Sequence, residues 1–116
     1  MTNCGIKLLL VTVAITTIAV LGSSRAARAS GASELRFENR RFVPQTLNVP
    51  ANQRLTIRVV NASNETIEFE SFKLNREKAI SPGEAITVHL PALSAGSYDF
   101  YDDFHQDVPQ GTIVAK

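Results

Sequence analysis

The sequence holds a single cysteine and a single methionine, and both stand within its first four residues, as Cys4 and Met1. One cysteine excludes an intrachain disulfide, so a packed apolar core has to carry stability. From Ser30 onward there is neither thiol nor thioether, which removes the soft donors that thiophilic metals prefer. A long apolar run is missing too. Leu8 to Leu21 spans 14 residues, short of the ~20 that a membrane-spanning helix needs. No serine–histidine–acid pattern, glycine-rich phosphate loop or paired-acid cleft is legible, and the chain is not expected to be an enzyme. There is no helical period of useful length, no internal repeat and no low-complexity segment.

The N-terminal stretch has the make-up of a targeting segment. Lys7 gives a positive start, Leu8–Leu21 the apolar centre, and Ala27-Arg28-Ala29 a small-residue cleavage site before Ser30. Residues 1–29 therefore read as a secretory signal peptide and 30–116 as the mature domain. Cys4 precedes the apolar run, so it is not placed for lipid attachment, and residues 1–29 hold no twin-arginine pair. Export to the periplasm as a soluble protein is the expectation. Removing 29 of 116 residues leaves 87, enough for one small domain. Three of the twelve basic residues leave with the signal, so nine face eleven acidic ones, a net charge of −2. That balance argues against a nucleic-acid partner, which selects a basic face.

The mature part alternates with period two between turn signals. Leu35 and Phe37 oppose Glu34, Arg36 and Glu38; Leu55, Ile57 and Val59 oppose Arg54, Thr56 and Arg58. Ile67 and Phe69 oppose Glu68 and Glu70; Ile86, Val88 and Leu90 oppose Thr87 and His89; Tyr98 and Phe100 open a further strand. Turns are expected at 50–52, 61–64, 81–84 and 94–96. Residues 71–80 show no clear period and read as a crossing loop with at most one helical turn. Short strands at this spacing predict an all-β sandwich of about seven strands.

The densest chemistry lies near the C-terminus, where Asp102, Asp103, His105 and Asp107 fall within six positions. Carboxylate with imidazole suits Cu(II), Zn(II) and iron; the plain alternative is a solvated acidic loop. Alternation puts Asp102 on the face of Tyr98 and Phe100, turned back toward the sandwich end, and Asp103 on the opposite face. Asp107, Arg40 with Arg41, and the exposed His89 read as solvated.

The order of pieces carries a resemblance. Phe42-x-Pro44, Leu47-x-Val49-Pro50-Ala51, a strand ending at Asn61, Glu68-Phe69, Pro82-Gly83, Gly96-x-Tyr98-x-Phe100, His105 and Gly111-Thr112-Ile113-Val114 together resemble a cupredoxin, a Greek-key β-sandwich with its metal site at one end. The site departs from the blue-copper pattern: Ile67 stands where that pattern has a histidine, and Asp102 where it has the cysteine. With no thiolate in the mature domain, blue-copper electron transfer is excluded by chemistry. Glu68-Phe69-Glu70-Ser71, Leu74, Arg76-Glu77-Lys78 and Asp102-Asp103-Phe104-His105-x-Asp107 are similar to the cupredoxin component of bacterial iron-permease uptake systems of the EfeO and FtrB types. That resemblance implies periplasmic binding of an iron or copper ion in service of an inner-membrane iron permease and its periplasmic companions.

The candidate metal ligands are thus Glu68, Glu70, Glu77, Asp102, Asp103 and His105. Glu68 and Glu70 belong to a strand that leads toward the metal end in this fold. Glu77 is either a ligand from the crossing loop or half of a surface ion pair with Arg76 or Lys78, of small energetic weight. Two rival readings stand beside metal delivery: a metal-free interaction module that keeps the fold as a scaffold, and a small metal-dependent oxidase or reductase acting on Fe(II).

Overall fold

The computed structural model describes residues 33–116; the expected signal peptide lies outside the described residues. Nine strands run in order: β1 (Ser33–Glu38), β2 (Arg41–Val43), β3 (Thr46–Val49), β4 (Leu55–Asn61), β5 (Ile67–Ser71), β6 (Arg76–Ile80), β7 (Ala85–Leu90), β8 (Gly96–Asp102) and β9 (Gly111–Ala115). They form two sheets, of order β2-β1-β4-β7 and β3-β9-β8-β5-β6. The β1–β4 and β3–β9 pairs are parallel, and every other pair is antiparallel. The expected all-β sandwich is therefore the observed one.

Two strands more than the expected seven are present, and one of them corrects the reading of residues 71–80. Phe72–Asn75 is a tight turn and Arg76–Ile80 is β6, paired along its length with β5 from Ile67↔Ile80 to Ser71↔Arg76. β6 is an edge strand exposed over most of its length, with only Ile80 fully buried. Its sequence therefore carries no inward–outward alternation. The pairing offered by β5 makes it a strand, not its own pattern. At the opposite end of the sheet β3 is shorter still, held by its parallel register with β9.

The core follows the predicted parity. Leu35, Phe37, Ile57, Val59, Val88 and Leu90 from one sheet meet Ile67, Phe69, Phe100 and Ile113 from the other. One aromatic pair crosses between the layers, Phe42 edge-on to Phe100 at 4.9 Å; within the layers Phe69 lies 5.4 Å from Phe100 and Phe42 stands edge-on to Phe37 at 5.1 Å. Such edge-to-face pairs add to burial alone. β1 and β2 are joined by Asn39 and Arg40, both at positive φ (50° and 56°), the mirror-image turn whose twist matches a hairpin.

Gly111 is the site of closest packing. It lies opposite Phe100 in the β8–β9 register, and a Cβ there would stand 2.2 Å from the Phe100 ring and 3.0 Å from the Gln45 carbonyl. The ring thus covers the backbone of the neighbouring strand, and the β8–β9 loop departs from this fixed point. Gly111→Ala should lower stability by about 1–3 kcal/mol, the usual cost of overpacking, with guanidinium unfolding as the measure. An unchanged midpoint would show that Phe100 is free to move.

Candidate functional site

One end of the sandwich collects the β1–β2 turn, the β4–β5 loop and the β8–β9 loop, and Asp102 organises it. Its side chain is fully buried. Oδ1 accepts from the backbone N–H of Glu68 (2.9 Å) and of Phe104 (3.1 Å), and Oδ2 from Nδ1–H of His105 (2.6 Å). A buried carboxylate is tolerable only with donors of this kind. The backbone N–H of His105 bonds the Asp102 carbonyl, that of Val108 bonds the His105 carbonyl, and buried Val108 pins the loop to the core.

Because Asp102 takes Nδ1–H, the His105 ring presents Nε2 outward, and that nitrogen lies 3.3 Å from Glu65 Oε2. Glu65 is positioned by Asn61, which is wholly buried. Asn61 Nδ2 donates to the carbonyls of Glu65 and Ile80, while its Oδ1 accepts from the N–H and hydroxyl of Ser63. Arg40 closes the cluster, 2.6 Å from Asp107 and 3.8 Å from Glu65. The Arg40 hydrogen bond holds the Asp107 carboxyl below the usual range. Asp107 and Arg40, expected to be merely solvated, form an exposed ion pair across two loops.

A second cluster lies on the outer face of the five-stranded sheet. Glu68 and Glu70 point outward from β5, and Asp103 follows β8 on the same side. One carboxylate oxygen from each of these three lies within 4.8 Å of the others. Glu77 enters from β6, directly opposite Glu70, and adds a fourth carboxylate to this face. Partial burial, then the neighbouring Glu77 carboxylate and the charges of Asp103 and Glu70, push the Glu68 carboxyl above the ordinary glutamate range. Tyr101, opposite Glu70 in the β5–β8 register, is raised in turn by desolvation, then by Glu70 and the surrounding carboxylates.

The six expected ligands thus divide. Glu68, Glu70, Glu77 and Asp103 come together on the sheet face, whereas Asp102 and His105 belong to the loop cluster at the sandwich end. Glu77 arrives on a strand, not on a crossing loop, and of its two readings the ion pair with Arg76 or Lys78 is not made. Arg76 donates to main-chain carbonyls instead, and no carboxylate lies within 4 Å of Lys78. His89 is exposed, 3.4 Å from Thr56 Oγ1. Sequence reasoning missed Glu65 and Tyr101. The same alternation that turned Asp103 outward places Tyr101 beside it, so that signal was present; nothing local marked Glu65.

Comparison with known proteins follows this geometry. Residues 10–115 match the model of the cupredoxin-like domain, and the chain belongs to that family. It is 37% identical over 83 residues to the uncharacterized protein RP394 of Rickettsia prowazekii, a match covering 72% of this chain and 66% of the relative, so the chain spans just under two thirds of that protein. Among solved structures it resembles auracyanin A, a blue copper protein of Chloroflexus aurantiacus (TM-score 0.62, 19% identity, 73% of this chain and 98% of that one). It also resembles a purple cupredoxin from Nitrosopumilus maritimus (0.59, 15%, 72% and 99%) and amicyanin from Paracoccus versutus (0.60, 18%, 78% and 87%). Those likenesses concern the fold.

The donor set does not fit a blue-copper ion. Residues 33–116 contain no thiolate or thioether, Ile67 is a fully buried core residue, and both oxygens of Asp102 are committed to protein donors.

Two substitutions separate the clusters. Asp102→Ala leaves two backbone N–H groups and the imidazole N–H without a partner and should cost about 3–5 kcal/mol of unfolding free energy. For Glu68, folding favours the protonated form. Its contribution is greatest below the unfolded-state value and is lost as pH rises through the raised folded-state value. Glu68→Gln should therefore raise the melting temperature of the metal-free protein at pH 7, with the gain fading toward pH 4. A loss of stability at pH 7 would show that the carboxylates do not strain one another.

Proposed function

We propose that this protein is a periplasmic metal-binding accessory of a bacterial iron-uptake system, a carrier and not an enzyme, of the EfeO and FtrB type suggested by its sequence motifs. The ion binds on the carboxylate face and passes to an inner-membrane iron permease with its periplasmic companions. The observation that carries this reading is the convergence of Glu68, Glu70 and Asp103, whose ligand atoms lie within 4.8 Å of one another. A cation at that point relieves the mutual repulsion of these carboxylates. An all-oxygen set favours hard ions, iron ahead of copper. The Tyr101 phenol, opposite Glu70 in the β5–β8 register, adds a further hard oxygen as phenolate. Half-buried ligands on rigid strands suit a site that both loads and unloads.

A second reading, the metal-free interaction module, has its own support. Asp102 and His105 satisfy each other without any ion, so the loop that holds metal in cupredoxins is complete on its own.

Calorimetric titration with chelated Fe(III) and with Cu(II) decides between them. The expected result is saturable binding with Fe(III) preferred, weakened at least tenfold by Glu68→Gln or Glu70→Gln and unaltered by His105→Ala. Fe(III) loading should bring a visible phenolate-to-iron absorption band that Tyr101→Phe removes. Affinity should fall on acidification, because protons compete for the ligands, and the raised Glu68 makes that competition begin nearer neutrality than an ordinary carboxylate would. Heats indistinguishable from buffer for both ions would leave the interaction module as the function.

A further inference from the structure

On the side of the sandwich where β6 ends one sheet and β7 ends the other, the two edges are linked by one side chain. Arg76 Nε and Nη2 donate to the His89 carbonyl (3.3 and 3.0 Å), and Nη1 donates to the carbonyls of Leu74 and Asn75 (3.2 and 3.0 Å). These bonds fix the guanidinium in place but bring no negative charge to it. Beside this link opens a cleft of about 420 Å³, within the range of small-ligand sites. Leu55, Leu90 and Pro91 give it an apolar floor, and Arg54, Thr56, Arg76 and His89 its polar wall. No carboxylate lines it.

The charge pattern here is unlike that of the rest of the domain. Among the described residues, Arg36, Arg40 and Arg58 each sit against a carboxylate. Only Arg41, Arg54 and Arg76 have none within 4 Å, and two of those three line this cleft. The domain is acidic in sum, yet two uncompensated guanidinium groups share one concave wall. Beside them, Thr56 Oγ1 lies 3.4 Å from His89 Nδ1, which leaves Nε2 of that imidazole facing outward. A guanidinium with free N–H groups grips a carboxylate with two parallel hydrogen bonds. Arg54 is the residue able to do so, since most of the Arg76 donors are engaged with carbonyls.

We infer that this cleft is a binding site for a small organic carboxylate. Its carboxylate pairs with Arg54 in the positive field of Arg76, assisted by Thr56 Oγ1 and His89, while its hydrocarbon part lies on Leu55, Leu90 and Pro91. The apolar floor is what selects an organic acid over a bare inorganic anion. The site is distinct from the carboxylate face, and its ligand requires no metal.

The test is NMR titration of the protein with phenylacetate, with the neutral phenylacetamide and with inorganic phosphate, all at one ionic strength. Phenylacetate should give saturable shifts confined to the backbone amides of Arg54 to Thr56 and His89 to Leu90 and to the His89 ring, and the amide should give none. Arg54 is exposed and makes no side-chain bond, so Arg54→Gln should keep the melting temperature and weaken phenylacetate at least tenfold. Thr56→Val should weaken it less. Equal shifts with the amide, a response unchanged in Arg54→Gln, or no saturation would each overturn the assignment. Saturation by phosphate but not by phenylacetate would overturn the organic class.

Discussion

The buried carboxylate of Asp102 is the constraint on which the functional end of this domain depends. An ionised group without access to water is costly unless each lone pair finds a donor. Here the donors come from three places: the backbone of β5 at Glu68, the start of the following loop at Phe104, and the imidazole of His105. One side chain thereby joins two strands and fixes the direction of a ring. The sequence resemblance places Asp102 where blue-copper proteins carry their thiolate. In this chain the position holds the loop through protein donors alone, and the outward His105 nitrogen and Glu65 are consequences of that arrangement.

A second constraint acts on the opposite parity of the same strands. The bond from Glu68 N–H to Asp102 fixes the end of β5, and residues two apart along β5 and β8 must then share a face. Glu68, Glu70, Tyr101 and Asp103 are brought together in this way, with Glu77 set against them by the β5–β6 register. Like charges opposite one another weaken a sheet. A domain without disulfides, dependent on its core for stability, retains this repulsion at a site where a cation would relieve it. Strain of that kind is what a binding function asks of a surface and a purely structural role does not.

Much of this was legible in the residues. Clean alternation in Leu55–Val59 and Ile86–Leu90 located the central strands, and the parity of Asp102 with Phe100 correctly turned its side chain inward. What failed shares one physical cause. β6 has no pattern of its own because an edge strand is defined by its neighbour. Glu65 reached His105 only through a loop shaped by Asn61, whose buried hydrogen bonds no local signal announces. Nor does proximity in sequence tell which ring nitrogen faces which partner. His105 and Asp103 are two residues apart yet belong to different clusters, because the strand ends at Asp102 and the chain turns there.

The division between these clusters bears on how the proposed carrier would release an ion. Had His105 and the glutamates shared one ion, the ligands would span a strand face and a loop, and release would require the loop to move. The loop, however, is anchored by Val108, by Asp102 and by the Arg40–Asp107 pair, and it follows directly from the Gly111–Phe100 contact that fixes β9. Motion there would break the bonds of buried Asp102 to Phe104 and His105. A site composed of β5 and β6 side chains and of Asp103, the first residue after β8, on an outer face needs no such movement. Its carboxylates open to solvent, where protons would compete with an ion for the same oxygens. In this architecture protonation or a partner's ligands, rather than a conformational change, is the economical route by which an ion would leave.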